Sequence, residues 1–240
     1  MGPDDEGPNM RDEERQSVRD LPLFSTMGQE AFDRLTPASF LQRFPAGLTI
    51  INEGESADFL HVVLEGAVEL FAQANNRESA ISIVRPVETF ILAAAVRDVP
   101  QLMSGRTLMP SRILMIPSRN IRECIEQDRA FASAMIDELA GSFRYMVRTV
   151  KNQKLRTAVE RLANYLLVCH TKEGSTSFTL PLEKQLLASL MGMTPESLSR
   201  AFGTLKAYGV EVDGANVTLS NVADLTTLAK PTAFIDNPAI

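Results

Sequence analysis

Apolar and polar positions change rhythm twice along this chain. From Leu41 to Pro117 the apolar residues come in short runs broken by turn residues. Leu48 to Ile51 is followed by Asn52-Glu53-Gly54-Glu55, Phe59 to Leu64 by Glu65-Gly66, and Ala67 to Ala72 by Asn75-Asn76. Ala80 to Val84, Phe90 to Ala95 and Ser111 to Ile116 then continue the series. Evenly spaced short runs of this kind predict strands of a β-roll or barrel. Upstream, Leu23-Phe24 with Ala31, Phe32, Leu35 and Phe40 predicts short helical turns, with Ser25 or Thr26 as N-caps. Residues 1–20 are polar and charged with almost nothing apolar, which predicts a mobile tail.

The period lengthens between about Arg129 and Lys154. Phe131, Met135, Leu139, Phe143, Met146 and Val150 recur at intervals of four, four, four, three and four, which predicts one long helix with a single apolar seam. Such a seam packs against its own domain or against a second copy. Its charged flanks favour the second copy, so these six residues are the candidate dimer contact. Leu155, Ala158, Val159, Leu162, Leu166 and Leu167 carry a further helix. The polar Lys151-Asn152-Gln153-Lys154 between the two seams is a candidate hinge, with a domain boundary near residues 150–155 and a loop over Lys172 to Ser177.

From Leu182 onward the predicted order is a helix to Leu190, a turn at Met191-Gly192-Met193, and a second helix from Thr194 to about Tyr208. Thr194 suits the N-cap, Pro195 the first helical position, Glu196 the first turn and Gly209 the stop. With Leu198, Phe202 and Leu205 turned inward, the helical period leaves Glu196, Ser197, Ser199, Arg200 and Lys206 pointing outward. Val210 to Val212 and Val217 to Leu219 flank Asp213-Gly214-Ala215-Asn216 as a hairpin, and Val222 to Leu228 follows as a short helix. A helix-turn-helix with a hairpin behind it is a winged helix. The polar N-terminal half of its second helix is where base-reading residues enter the major groove of double-stranded DNA. Arg200 can donate two hydrogen bonds to guanine, Glu196 can accept from a cytosine amino group, and Ser197 or Ser199 can serve a base or phosphate. Thr194 joins them as the cap.

Charge sharpens this picture. The 240-residue chain carries a net charge of −6, yet Gly141 to Val210 holds 10 Lys or Arg against 4 acids. A basic segment inside an acidic protein supplies phosphate contacts in one place and repels DNA elsewhere. The fold class is therefore α+β: residues 1–20 a tail, 21–128 a β-roll, 129–154 a dimerisation helix and hinge, 155–230 a winged helix-turn-helix, and 231–240 a second tail.

Other chemistries lack their residues. No apolar run is long enough to span a membrane and the N-terminus is not that of a signal peptide, which points to the cytoplasm. Cys124 and Cys169 stand alone and form neither a disulfide framework nor a metal pair. His61 and His170, the two histidines, cannot furnish the several-His set of a metal-dependent cupin. There is no P-loop, dinucleotide-binding glycine cluster or nucleophile elbow, so no enzyme is expected.

The chain resembles the Crp/Fnr family of transcription regulators over about Leu23 to Leu228. The resemblance rests on Phe44-Pro45-Ala46-Gly47, Asn52-Glu53-Gly54-Glu55, Val63-Leu64-Glu65-Gly66-Ala67-Val68 and the helix beginning Thr194-Pro195-Glu196. It implies a cyclic-nucleotide-binding-like β-roll as sensor, a homodimer, RNA polymerase as partner and a role as activator. Glu196, Ser199 and Arg200 match the Fnr-like reading pattern, which implies a TTGAT-type inverted repeat. Pro195 stands where the Crp-like pattern has arginine. Members that bind cyclic nucleotides carry Gly-Glu-Leu and then Arg-Ser or Arg-Thr. Here Phe90 to Ala95 and Gln101-Leu102 stand instead, with Arg106-Thr107 as the alternative register. Cyclic AMP is therefore disfavoured, and the absence of cysteine before position 124 disfavours an iron-sulfur cluster. Leu92 to Pro100 with Leu108 to Arg112 most resembles the nitric-oxide-responsive NnrR and Dnr branches. A haem cofactor would follow from that likeness, with His61 as candidate ligand. Family members without any effector, controlled by their abundance, are the alternative.

Overall fold

The computed structural model describes residues 10–237. It divides into two compact units, the first ending at Gly141 and the second beginning at Ser142.

In the first unit, helices α1 (Asp12–Arg19), α2 (Pro22–Ser25) and α3 (Gln29–Leu35) precede the strands. Of the expected tail, residues 1–9 lie outside the described residues, but Asp12–Arg19 is a helix rather than a mobile segment. Its single buried apolar residue, Val18, is helped by ion pairs that composition alone does not reveal: Arg15 to Asp33 at 2.8 Å and Glu14 to Arg112 at 2.7 Å. The expected caps Ser25 and Thr26 are also corrected. The N-cap positions are Leu21 and Gly28, and the Gly28 N–H is taken by the distant Asp128 carboxylate at 2.6 Å.

Strands β1 (Phe40–Phe44), β2 (Thr49–Ile51), β3 (Phe59–Glu65), β4 (Val68–Ala74), β5 (Arg77–Val84) and β6 (Thr89–Phe90) are followed by α4 (Leu92–Arg97), β7 (Ser104–Thr107) and β8 (Ser111–Pro117). They form two antiparallel four-stranded sheets, in the orders β1-β8-β3-β6 and β2-β7-β4-β5. Asn75 and Asn76, both at positive φ, make the two-residue turn between β4 and β5. Gly66 makes the next close approach: a Cβ there would lie 2.6 Å from the Pro110 carbonyl oxygen. Of the expected strand Phe90 to Ala95 only Phe90, the last residue of β6, is strand before the chain turns helical. Leu92 to Ala95 are good helix formers, and they prevail once Ile91 adopts the left-handed conformation.

β3 shows how the unit is filled. Leu60 and Val62 face α1–α3 and the helices that follow the roll, whereas Val63 faces the space between the sheets with Ile51, Leu70 and Ile113. Helix α5 (Ser118–Gln127) then leads into α6 (Arg129–Leu155).

α6 corrects the predicted seam. Phe131 and Met135 are fully buried in the first unit, Phe131 stacking on Phe24 at 6.1 Å, and Leu139 packs beside them. Phe143, Met146 and Val150 are exposed, together with Ile136 and Val147. Steps of four overshoot the helical turn, so Phe143 lies about 120° around the axis from Phe131. Met146, about 60° around from Phe131, returns to the side of Met135 and Leu139, so what separates the buried members from the exposed ones is position along the helix, the first unit ending at Gly141. The expected hinge at Lys151 to Lys154 is unbroken helix, and the break falls at Arg156.

The second unit continues with α7 (Ala158–Glu173), β9 (Ser177–Thr179), α8 (Lys184–Leu190), α9 (Pro195–Leu205), β10 (Val210–Asp213), β11 (Asn216–Leu219), α10 (Val222–Ala229) and α11 (Ala233–Asp236). α7 begins with a reciprocal cap, Thr157 N–H to the Glu160 carboxylate at 2.8 Å and Glu160 N–H to the Thr157 hydroxyl at 3.3 Å. β9 adds a third strand to the expected hairpin, in the order β10-β11-β9. Leu162, Leu166, Leu187, Leu198, Leu205 and Leu225 form the centre of its core.

Candidate nucleic-acid interface

α8 and α9 carry the predicted reading head. α8 stops at Met191, Gly192 turns the chain at φ +62, and Thr194 caps α9 by accepting the Ser197 N–H at 3.2 Å. Pro195 occupies the first position, where an amide hydrogen would have no helical acceptor. Leu198, Ala201, Phe202 and Leu205 are buried. Gly209 ends the segment at φ +78, after a single 3₁₀ turn over Lys206–Tyr208, and a Cβ on it would sit 2.6 Å from the Asn221 nitrogen.

Glu196, Ser199 and Arg200 are all exposed on the first two turns of α9, as the helical period required. The Glu196 carboxyl is held below the usual range, first by the Thr194 hydroxyl, then by its own backbone N–H, with the Arg200 charge adding to both. It is an anion that can only accept hydrogen bonds. Arg200 Nη2 donates to the Ser197 hydroxyl at 3.0 Å, which leaves other donors of the fork free. Ser197 is half-buried and Thr194 exposed, and both hydroxyls are engaged with each other at 3.2 Å.

Lys206 falls elsewhere. It lines a shallow depression of about 370 Å³ with Lys184, Ser199, Phe202, Gly203 and Val212, between α8, α9 and the hairpin. Lys184 is one of the cations of the basic segment Gly141 to Val210. Its ammonium lies 5.6 Å above the Phe202 ring. Two cations at one depression beside Ser199 suit phosphate oxygens rather than base edges.

The other candidate region is the space between the two roll sheets. His61 points into it from β3, is only 4% exposed, stacks on Phe90 at 4.7 Å and meets Phe59 edge-on. Burial lowers its pKa from 6.5 to about 4, against a smaller opposing effect of the Phe59 backbone carbonyl, which favours the protonated ring. Its Nδ1 has no hydrogen-bond partner among the described residues. The imidazole is therefore a neutral member of an aromatic stack. Arg106, the alternative phosphate-binding cation, pairs with Glu69 at 2.7 Å and Glu78 at 3.0 Å and lies 4.6 Å over Phe71. Glu69 alternates with the inward Val68 and Leu70, so this cluster occupies the outer face of its sheet. Gln101 is buried, with its backbone bonded to Glu55 and Gly54, and Leu102 is 80% exposed. Neither supplies a charge to an anion.

No helix among the described residues is long and apolar enough to cross a membrane, and no group of three metal-binding side chains occurs among them.

Comparison with known proteins places both units. A cyclic nucleotide-binding domain model matches residues 41–128 and a Crp-like helix-turn-helix domain model matches residues 160–228. A CRP-like cAMP-activated global transcriptional regulator of Mycobacterium tuberculosis is 24% identical over 215 residues, covering 87% of this chain and 96% of the relative. Among solved structures, FixK2 from Bradyrhizobium japonicum aligns with a TM-score of 0.67 at 20% identity, over 81% of this chain and 99% of the other. A chain assigned to the Crp/Fnr family from Eubacterium rectale aligns with a TM-score of 0.72 at 16% identity, over 88% and 99%.

Proposed function

This chain is a Crp/Fnr-type transcription regulator and not an enzyme, and from that premise we propose that it acts as a homodimer reading a TTGAT-like inverted repeat. The observation that carries the reading is the joint exposure of Glu196, Ser199 and Arg200 on the first two turns of α9. Arg200 reads guanine, Glu196 accepts from a cytosine amino group, and Ser199 joins Lys184 and Lys206 at the DNA backbone. The second copy is supported by the open stripe of Ile136, Phe143, Met146, Val147 and Val150. Phe131, Met135 and Leu139 leave the dimer contact and belong to the domain core. RNA polymerase is the partner that the family implies, and the cytoplasm is where that contact would be made.

The input follows a different logic. The likeness of Leu92 to Pro100 to nitric-oxide-responsive regulators favours a signal of nitrogen-oxide metabolism. Haem at His61 does not fit, because the imidazole is enclosed and stacked on Phe90. A cyclic nucleotide needs a cation for its phosphate, and Arg106 faces the wrong way. The largely apolar interior of the roll therefore favours a second reading, a regulator that needs no bound effector and responds to its own abundance.

Fluorescence anisotropy on a TTGAT inverted repeat tests the output. Arg200→Ala should lose about 1–3 kcal/mol of binding and tolerate base changes at its contact. If Arg200→Ala bound the repeat and a scrambled duplex as the parent does, the reading head would be misassigned.

A further inference from the structure

The segment after α10 does not trail away. α10 ends at Ala229, Lys230 turns the chain at φ 46, and Pro231 precedes a return to the end of α6. There Asp236 meets Arg156 in a two-bond fork, Nη1 to Oδ1 at 2.7 Å and Nη2 to Oδ2 at 2.6 Å. The Thr232 N–H donates to the same carboxylate at 2.7 Å. Burial alone would raise the Asp236 pKa, but these donors outweigh it and hold the carboxyl ionised. One turn earlier, Lys151 donates to the Phe234 carbonyl at 3.5 Å and lies 5.7 Å over its ring. The expectation of a tail over 231–240 is therefore corrected for the described part, in which Ala233–Asp236 is a docked helical turn.

Arg156 is the first of the two residues between α6 and α7, and its side chain is only 6% exposed. A planar fork that buried is specific in geometry, unlike a mobile surface pair. The same residue accepts at its carbonyl from Arg161 at 2.7 Å and donates to Asn152 at 3.1 Å. At the other end of the segment, α10 is fastened to α7 by Asn164 to the Ala229 carbonyl at 2.6 Å and by Lys230 to Glu160 at 3.6 Å. The winged helix thus reaches the end of α6 by two routes, one covalent through Arg156 and Thr157, the other through Asp236. A joint bridged twice resists the rotation that a single two-residue link would permit.

We propose that Thr232–Asp236 is a strap that locks the α6–α7 joint and so fixes how each recognition helix is carried by the end of its dimer helix. The consequence for DNA rests on the reading of a dimer on an inverted repeat. A locked joint presents two heads at one separation. A loosened joint must be ordered on binding, which weakens the two-headed complex and leaves a single head unaffected.

The test uses the whole chain with Asp236→Asn, Asp236→Glu and a version ending at Pro231. Hydrogen exchange without DNA comes first: amides of residues 153–158 should exchange at least about tenfold faster in Asp236→Asn and in the shortened chain, with Asp236→Glu closer to the parent. Unchanged exchange overturns the strap. Anisotropy is then read on a single half-site and on repeats whose spacing is varied by one base pair. Asp236→Asn should lose about tenfold on the best repeat, keep its half-site affinity and discriminate spacing less. Equal losses on half-site and repeat would mean that the segment supports the head itself, which also overturns the proposal. A parent protein that binds repeat and half-site alike would contradict the dimer reading, and the exchange result would still decide the strap.

Discussion

Glu69 and Glu196 are both carboxylates beside an arginine, and the two pairs have opposite uses. Glu69 is 7% exposed, and Arg106 spends its donors on it and on Glu78 while covering Phe71. Glu196 and Arg200 stand in solvent at the start of α9, and Arg200 makes one supporting bond to Ser197. A family motif asks for an arginine in both places. What would suit one cation to structure and the other to reading DNA is whether its hydrogen-bonding capacity is already used.

That contrast has consequences of graded size. The largest lies along α6. Phe131→Ala should cost about 3–5 kcal/mol of stability, since it opens a cavity beside Phe24. Phe143→Ala, from the exposed stripe, should leave urea unfolding within about 0.5 kcal/mol at matched association state but weaken self-association in sedimentation. Equal effects from the two would erase the division between the core-packed start of α6 and its open later stretch.

His61 comes next. Its folded pKa of about 4 lies below the unfolded 6.5, so between these values the unfolded chain binds a proton that the folded chain refuses. Stability should fall as pH drops through this window, by about 2–3 kcal/mol at pH 4.5 relative to pH 7. His61→Phe should remove that share of the pH dependence in urea titrations. An identical slope in both proteins would show that the imidazole is not held neutral by burial.

At the reading head, Thr194→Ala should remove the cap of α9 and cost about 0.5–2 kcal/mol of stability in the second unit. It should weaken DNA binding less than Arg200→Ala, which leaves the fold intact. The smallest effects belong to the depression. Lys184→Ala or Lys206→Ala should each lower the salt slope of binding by about one ion without changing which base pairs are preferred.

How far the chain could be read depended on how local each signal was. α9 was legible because its cap, its proline, its buried leucines and its glycine stop lie within sixteen residues of one another. The hairpin behind it was legible for the same reason. The reciprocal cap at Thr157 and Glu160 is equally local, and its three-residue spacing marks the break at Arg156. Arg106 was not legible, because its direction depends on the register of β7 against β4, a pairing between residues far apart. α4 is not legible as helix because a short apolar run has no period to distinguish helix from strand. The strap was invisible for a similar reason: 80 residues separate Asp236 from Arg156, and neither has a distinctive neighbour.

The central claim is that Glu196, Ser199 and Arg200 read DNA as a pair of identical heads. Selection of bound duplexes from a random pool, carried out with the parent protein and with Arg200→Ala, tests it most directly. The parent should enrich an inverted repeat with TTGAT-like half-sites, and Arg200→Ala should enrich the same repeat with the preference relaxed at the same base pair in each half. An enriched sequence without two-fold symmetry, or one that Arg200→Ala selects unchanged, would contradict the account.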